Sequence, residues 1–318
     1  MDTSTHVITG VGLAGISFID PTIGTHPELL SSMLFCTIVG SNAPDVDFLY
    51  KYKGNDTYLK KHRGISHSLY FQVILAFLIA SIATIGNGGS YFPTFFLWTL
   101  IAVSLHVLFD ICNIYGTQAF RPFTNRWVAL NLLPILDPFI MAAHLIGIGF
   151  WFGGYHSGMI FSFVYIGILM YVAWRYRVHQ NVLRRLIRDG EKGVTYTLLP
   201  TFRSDCWGVI ASCNQHFKLG KYDKNGVVWS KVLMKASDKN EIIQASRKHS
   251  FIKYLQTHSA YMHASIINKE DGYEVHWFDL RYQWKIDEPF IAIIKLDKKL
   301  NFVQSDVKRG LLAIPERA

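Results

Sequence analysis

The segment Lys60–Ser68 reads KKHRGISHS, and the unbroken apolar run Leu69–Ile85 follows it directly. Two histidines, His62 and His67, therefore stand five residues apart in a basic segment, with a glycine between them. On one regular helix they would point about 140° apart, so a loop that enters a helix suits them better. The segment predicts a polar site where a helix enters a membrane.

Charge is distributed unevenly along the 318 residues, of which 50% are hydrophobic and 17% charged. Between Leu69 and Trp174 almost every charge lies in a short loop, whereas charged residues recur every few positions from Arg175 onward. This contrast predicts a membrane-embedded domain over residues 1–175, a basic cytoplasmic linker over 176–194 and a cytoplasmic α+β domain over 195–318.

Apolar periodicity and length predict the elements of the first domain. Two runs of roughly a dozen residues, Val7–Ile19 and Leu29–Val39, are short for a span and predict an N-terminal helical hairpin. Four longer segments could each cross a bilayer as a helix: Leu69–Ile85, Thr94–Cys112, Leu132–Phe152 and Met159–Trp174. The fold class expected is a mainly α polytopic membrane helix bundle, with four long spans plus the hairpin, followed by a small α+β soluble domain.

The loops between these segments differ in charge. Gly86–Pro93 and Gly153–Gly158 contain no Lys or Arg, whereas Lys51–Arg63, Arg121–Arg126 and Arg175–Lys192 carry them. The positive-inside rule then predicts a multi-pass protein of the cell membrane, with the basic loops and the C-terminal domain in the cytoplasm. Because many cations flank apolar segments, the net charge of +9 indicates contact with membrane lipid, and direct nucleic-acid binding is not expected.

The C-terminal region changes to a pattern typical of strands, and it shows no catalytic signature. A helix is expected at Glu241–Leu255, and the pairs Asn225-Gly226 and Asp271-Gly272 are typical of hairpin turns. The predicted strands are Tyr196–Phe202, Trp207–Ser212, Gly226–Met234, Tyr273–Trp284 and Phe290–Leu296. A domain of this kind could bind a protein partner.

Histidine and aspartate recur where the predicted topology brings segments to one membrane face. His106 and Asp110 are four apart and share one face of a helix. Asp45 and Asp47 follow a proline and are two residues apart, a spacing that lets one bind a metal directly while the other bridges or orients. The candidate metal ligands are His6, Asp45, Asp47, His62, His67, His106 and Asp110.

This donor set suits a divalent metal, zinc first and manganese or iron next, since no set of closely spaced cysteines is present. One ion uses three or four protein ligands, so the number of candidates favours two ions that activate water for phosphoester hydrolysis. A carboxylate that is not fully engaged, such as Asp47, could accept the proton of that water. Arg63 could hold a phosphate or carboxylate, or could simply follow the positive-inside rule.

Each candidate also has a structural interpretation. A histidine in a basic loop, such as His62, is usually solvated, and His106 with Asp110 could form only a hydrogen bond between helices. The Asp45 segment could be a turn that ends a helix. Asp137, followed by Pro138, could cap a helix or join the site, and the same choice between structure and site applies to His144 deeper in that segment.

The motifs together resemble a known family. Thr5-His6, Pro44-Asp45-Val46-Asp47, His62–Ser68 (HRGISHS) and His106-x3-Asp110, followed by Tyr115-Gly116-Thr117 and Arg121-Pro122-Phe123, resemble those of the YdjM-type, LexA-binding, inner-membrane-associated metal-dependent hydrolases. The order and approximate spacings agree over about the first 145 residues, and the whole chain looks most like the YfhP-type members. The resemblance implies a multi-pass membrane protein with a divalent-metal hydrolase site.

A more distant similarity is to zinc-dependent phospholipase C and P1-type nucleases. Those enzymes bind three zinc ions and use an N-terminal amine as a ligand, but Met1 is five residues away from His6 here, so a third ion is not expected.

The function expected is therefore a membrane-bound metal-dependent hydrolase that acts on a phosphoester, such as a lipid, at the cytoplasmic face. Two other classes stay open. One is a non-catalytic metal-binding scaffold or regulatory protein, and the other is a transporter. The transporter is disfavoured because the ionisable groups gather at one end of the spans.

Overall fold

The computed structural model describes residues 1–54, 57–58, 61–236, 239–282 and 290–309. The chain divides into two compact units. The first comprises Met1–Lys53, Lys61–Gln180 and Pro200–Ser204, and the second comprises Gly54–Lys60, Asn181–Leu199 and Asp205–Ala318.

The first unit is helical. Two short 3-10 segments, Ala43–Lys53 and Ile65–His67, lie between its third and fourth helices. Its helices are α1 (Thr3–Ile16), α2 (Pro21–Thr25), α3 (Leu30–Asn42), α4 (Leu69–Gly86), α5 (Phe92–Cys112), α6 (Pro138–Phe152) and the greater part of α7 (Ser157–Asp189), whose last residues belong to the second unit. Helices α1 and α3 pack against each other, which confirms the predicted N-terminal hairpin.

Three helices of the described residues, α4, α5 and α7, are long and apolar enough to cross a membrane. The fourth predicted span, Leu132–Phe152, is not confirmed. Its helix α6 has 15 residues and is about 22 Å long, less than the roughly 30 Å of a bilayer core. The helix begins late because Asp137 caps it and Pro138 occupies its first turn, while Leu132 and Leu133 instead donate their N–H groups to the Cys112 carbonyl.

Helix α7 continues past the predicted end of its span. It runs without interruption from Ser157 to Asp189, so most of the expected linker 176–194 is helical. Arg175 on this helix is fully buried and donates to the backbone carbonyls of Leu132 (2.8 and 3.0 Å) and Ser204 (3.1 Å). Its cation is therefore used inside the protein.

A glycine sets the approach of α1 to α3. A Cβ at Gly10 would lie 2.7 Å from the Ile38 Cα and 2.6 Å from the Ser41 Oγ, so only glycine lets the two backbones come this close. Ser41 uses the proximity to donate a hydrogen bond to the His6 carbonyl at 2.8 Å. The N-terminal turns of α1 are thereby held beside the end of α3, where the site lies.

The second unit contains two four-stranded sheets, ordered β1-β2-β3-β4 and β5-β6-β7-β8. The helices α8 (Glu241–Arg247) and α9 (Ser250–His258) contribute Ile243, Phe251 and Ile252 to the core beside the second sheet. The strands are β1 (Thr195–Pro200), β2 (Trp207–Ser212), β3 (His216–Asp223), β4 (Gly226–Met234), β5 (Met262–Lys269), β6 (Gly272–Asp279), β7 (Phe290–Asp297) and β8 (Phe302–Arg309).

All five predicted strands correspond to strands of the structure. The prediction Tyr273–Trp284 is too long, because β6 ends at Asp279 and Leu280–Tyr282 forms a 3-10 turn, while Gln283 and Trp284 lie outside the described residues. Both predicted hairpin turns are confirmed, since Asp223 pairs with Gly226 and Lys269 pairs with Gly272. The pattern did not indicate β3, β5 or β8. It predicted one helix where α8 and α9 are separate, because His249 adopts an extended conformation between them.

Candidate metal centre

Four of the seven predicted ligands converge at one end of the first unit. Asp45 comes from the 3-10 segment after α3, His67 from the turn before α4, and His106 and Asp110 from successive turns of α5. One ligand atom from each lies within 4.8 Å of the others. Asp110 Oδ2 is 3.2 Å from His67 Nε2 and 3.6 Å from His106 Nε2.

Hydrogen bonding fixes the tautomer of His106. Its Nδ1 lies 2.7 Å from the Ser41 carbonyl oxygen, which can only accept, so Nδ1 carries the proton. Its Nε2 therefore presents a lone pair to His67 Nε2 at 3.3 Å. A backbone carbonyl in this position orients many metal-binding histidines.

His67 is oriented in the same way through Ser66. The Ser66 hydroxyl donates to Asp47 Oδ2 at 2.7 Å, so it accepts from His67 Nδ1 at 2.9 Å. His67 Nε2 is then unprotonated as well. Burial lowers the pKa of His67 to about 4, so the ring stays neutral at physiological pH.

The centre thus gathers four acceptor atoms with no proton between them. Both Nε2 atoms also lie 3.7 Å from Asp45 Oδ1, which is buried and accepts no hydrogen bond from the residues described. Ligand atoms about 2.0–2.2 Å from a tetrahedral zinc ion are about 3.3–3.6 Å apart, and the five separations that involve a histidine nitrogen run from 3.2 to 3.7 Å. These residues fit a divalent cation.

A second group comprises Asp45, Asp47 and His62, so Asp45 is shared between the two. Two members of this group are hydrogen-bonded to each other, since His62 Nδ1 donates to Asp47 Oδ1 at 2.7 Å. Asp47 Oδ2 accepts from the Arg63 N–H at 2.9 Å as well as from Ser66. The carboxylate expected to be incompletely engaged is therefore bonded at both oxygens.

The charge of Asp47 is stabilised by these donors. Burial alone would raise the pKa of its carboxyl, but the hydrogen bonds from His62 and Ser66 outweigh burial and hold the pKa below its ordinary value. Asp47 is thus an anion that links His62 to Ser66 and, through Ser66, to His67.

Arg63 occupies the opposite side of Asp110. Its Nη2 lies 3.1 Å from Asp110 Oδ1 and its Nη1 donates to Asn113 Oδ1 at 3.1 Å. The residue adopts a left-handed backbone conformation (φ 61°) and its guanidinium lies over the Tyr115 ring. The Arg63 guanidinium therefore binds a carboxylate of the protein itself. A carboxylate and a phosphate were the two partners that the sequence suggested for it.

The remaining predicted ligand, His6, lies beside the four-residue group. Its ring stacks on His106 with centroids 3.8 Å apart, and its Nε2 is 3.8 Å from Asp110 Oδ1. Neither ring nitrogen of His6 has a hydrogen-bond partner among the described residues. The α-amino group of Met1 donates to the same Asp110 oxygen, so the sequence separation of Met1 and His6 does not keep that amine from the site.

The two ambiguous residues of the third segment are placed away from these ligands. Asp137 caps α6, accepting from the N–H groups of Phe139 and Ile140 at 3.0 and 3.1 Å, as its structural interpretation predicted. His144 is buried one turn further along, where its Nδ1 donates to the Ile140 carbonyl. Neither belongs to either metal-ligand group.

Two contributors to the centre were not singled out from the sequence. Ser66 lies within the HRGISHS motif, directly before a candidate ligand, and that position was the available signal. No signal in the sequence could indicate the Ser41 carbonyl, because every residue has a backbone carbonyl.

Comparison with known proteins shows the family of the chain. Residues 1–182 match the family model described as "YdjM inner membrane protein", and residues 241–309 match the one described as "YfhP C-terminal alpha/beta plait domain". The chain is 33% identical over 312 residues to the Bacillus subtilis (strain 168) protein named "Uncharacterized protein YfhP", and the alignment covers 96% of this chain and 94% of that protein. No solved structure matches the chain.

The family match covers more than half of the chain, including every predicted ligand, and the relative is similar along almost its whole length. The resemblance noted from the motifs is thereby confirmed. The chain is a membrane protein of the YdjM inner membrane protein family, and it carries a C-terminal domain of the YfhP type.

Proposed function

We propose that this protein is a membrane-bound metal-dependent hydrolase that acts on a phosphoester, lipid-like substrate at the cytoplasmic face. The observation that carries the proposal is the set of four lone-pair donors, Asp45, His67, His106 and Asp110, whose ligand atoms lie within 4.8 Å of one another with no proton between them. A buried group of this kind is costly unless a cation occupies it.

Zinc bound there, or manganese or iron, would supply a Lewis acid and lower the pKa of a water molecule. The chain's own residues hold and orient the ligands. Arg63 neutralises the outer oxygen of Asp110, and the Ser41 carbonyl and Ser66 fix the histidine tautomers. The Asp45 side chain is 28% exposed, whereas those of His67, His106 and Asp110 are fully buried, so substrate would approach from the side of Asp45.

The pair of Asp47 and His62 has two possible roles. With its Nδ1–H held by Asp47, the His62 side chain, 23% exposed, could accept a proton at Nε2, and Asp47 would then act through it. Alternatively both would join Asp45 in holding a second ion, as the number of ligands predicted. The number of ions lost in His62→Ala distinguishes the roles, since only a ligand changes the stoichiometry.

The phosphoester preference rests on the donor set and on the absence of a His-Glu-x-x-His peptidase motif from the sequence. The cytoplasmic orientation rests on the basic loops on the site side of the predicted spans. We also propose that the C-terminal domain binds a protein partner, since no metal-ligand group lies in its described residues.

The test is metal analysis of the purified protein, with a panel of phosphomonoesters, phosphodiesters, phospholipids and carboxylic esters assayed after chelation and after reloading with zinc, manganese or iron. His67→Ala should lose the ion and the activity but remain in the membrane. His144→Ala, which removes a buried histidine outside the centre, should keep both. Hydrolysis that survived in both His67→Ala and Asp110→Ala would refute the assignment.

A metal-stabilised scaffold is the second candidate, because four protein ligands around one ion are typical of structural zinc sites, while catalytic sites keep one position open. It predicts a tightly held ion and no hydrolysis of any substrate in the panel. An exposed fourth ligand that a substrate or water could displace favours the hydrolase.

A further inference from the structure

Apolar side chains are exposed on the segment that carries Asp45, the one partly exposed ligand of the four-residue group. The 3-10 segment Ala43–Lys53 buries Asp47 on its inner side but exposes Phe48 and Leu49, which are 49% and 50% accessible. Val46, next to Asp45, is exposed as well. The exposed ligand thus belongs to a segment whose outer surface is hydrophobic.

The turn before α4 adds to this surface. Arg63 and Ser66 both hydrogen-bond to Asp47, which ties the turn to the 3-10 segment, and Ile65 between them is 48% exposed. We call Val46, Phe48, Leu49 and Ile65 the apolar rim. Exposed large apolar side chains gathered on two linked segments are unfavourable in water and are typical of a surface that contacts lipid or another protein.

Exposed apolar residues of a candidate membrane span follow the rim along the chain. Leu69 and Val73, one and two turns after Ile65, are exposed on α4, a helix apolar enough to cross the membrane. Lys51 and Lys53 lie at the other end of the 3-10 segment. Apolar residues beside lysines are the composition of segments that lie in the bilayer interface, with cations at anionic headgroups.

We infer that the apolar rim lies in the lipid interface and that the centre takes its substrate laterally from the bilayer. The substrate class is a phospholipid or another lipid phosphoester, whose phosphate reaches Asp45 while its chains stay among the rim residues and the surrounding lipid. The part that concerns substrate rests on the proposed hydrolase function, whereas the placement of the rim in lipid does not.

The placement is tested with spin labels in nanodiscs that contain anionic lipid. Among the four cysteines only Cys206 is not buried, so Cys206→Ser provides the background for Phe48→Cys and Leu49→Cys. Ile82→Cys, exposed on α4, serves as the lipid reference and Lys192→Cys as the water reference. Labels at 48 and 49 should collide several-fold more with oxygen, relative to a water-soluble nickel chelate, than the label at 192.

A collision ratio equal to that at position 192 would overturn the inference, because the rim would then face water. Low collision with both reagents would also overturn it, because protein, from a second copy or a partner, would then cover the rim. Neither collision measurement requires the protein to hydrolyse a substrate.

The substrate part is tested with Phe48→Ser/Leu49→Ser. This variant should lose at least tenfold in hydrolysis of a long-chain phospholipid in vesicles and stay within twofold on a soluble aryl phosphodiester, with unchanged metal content. Phe163→Ser, an exposed site on α7, is the matched control and should change neither rate. Equal losses on both substrates would contradict lateral access. If the wild type hydrolysed neither substrate, the proposed function would fail while the spin-label result still decided the position of the rim.

Discussion

The Nε2 atoms of His67 and His106 lie 3.3 Å apart, although the residues are 39 positions apart in sequence. Each ring donates its Nδ1–H to the protein, so the two lone pairs face each other. Without a cation this arrangement is repulsive, and a cation that binds here therefore stabilises the folded state.

Metal removal should destabilise the protein measurably. A ligand that binds only the folded state at 100 times its Kd adds about 2.7 kcal/mol to the free energy of unfolding. We expect zinc to raise the thermal unfolding temperature of the wild type and of His144→Ala, but not that of His106→Ala, in detergent solution. Coincident unfolding curves for the chelated and zinc-loaded wild type would contradict a cation in this centre.

Ser66→Ala should weaken metal binding without removing a ligand. The hydroxyl connects Asp47 to His67 Nδ1, and its loss frees the ring to rotate or change tautomer. Losses of 10–100-fold in metal affinity are usual for such changes, and competition with a chromogenic chelator would measure them. Ser68→Ala is the control, since that buried hydroxyl two residues later bonds, among the described residues, only the Ile65 carbonyl. Equal losses in both variants would mean that the whole turn, and not the hydrogen bond of Ser66, is responsible.

Gly116→Ala should destabilise the first unit by about 2 kcal/mol or more. Gly116 has φ +67°, and an added Cβ would lie 2.4 Å from the Val128 carbonyl oxygen. Its N–H also bonds the Asn113 side chain that holds Arg63. Gly149→Ala in α6 is the matched control, since no described atom outside its own helical turn lies within 4 Å of its added Cβ. Thermal unfolding of the two variants measures the difference, and similar midpoints would refute the steric argument.

The C-terminal unit should lose stability in mild acid through His263. Burial lowers the pKa of this residue, whose Nδ1 donates to the Met234 carbonyl at 2.9 Å. Below the unfolded pKa of about 6.5 the unfolded chain takes up a proton that the folded chain does not, so stability falls as pH falls from there toward the folded pKa. The loss is at most about 1.4 kcal/mol per pH unit.

His263→Gln removes this titration. Denaturant unfolding of the full chain, followed by a signal from the second unit, should show a shallower pH dependence in the variant between pH 7 and 5. At pH 8 the histidine is neutral in both states, and any difference there reports packing alone. An unchanged slope would show that His263 does not carry the effect.

Strands and spans differ in how far the sequence predicted them. The pattern located α4 and α5 almost to the residue because apolar runs of that length have one stable form in lipid. It extended α6 too far: the cap by Asp137 was one of two interpretations, and the apolar residues before it were included in the span although Leu132 and Leu133 bond to the Cys112 carbonyl. It overlooked β3, whose Gly220 is unfavourable in a strand but leaves room for the Trp229 ring, which would otherwise lie 2.7 Å from a Cβ.

Residue types and spacing alone provided the seven candidate ligands. Histidine and aspartate are costly beside apolar helices, so their recurrence near the ends of such helices indicated a site, and four of the seven, Asp45, His67, His106 and Asp110, lie together in the structure. Only the tertiary structure decided how these groups are arranged. The tautomer of each histidine ring is set by a hydrogen bond to Ser66 or to the Ser41 carbonyl. The hydrogen bonds of Asp47 and Arg63 form because a turn packs against the 3-10 segment. The apolar rim exists because the outer side of that segment is exposed. Contacts between segments far apart in the chain leave no pattern in a single sequence, because many residues could form them equally well.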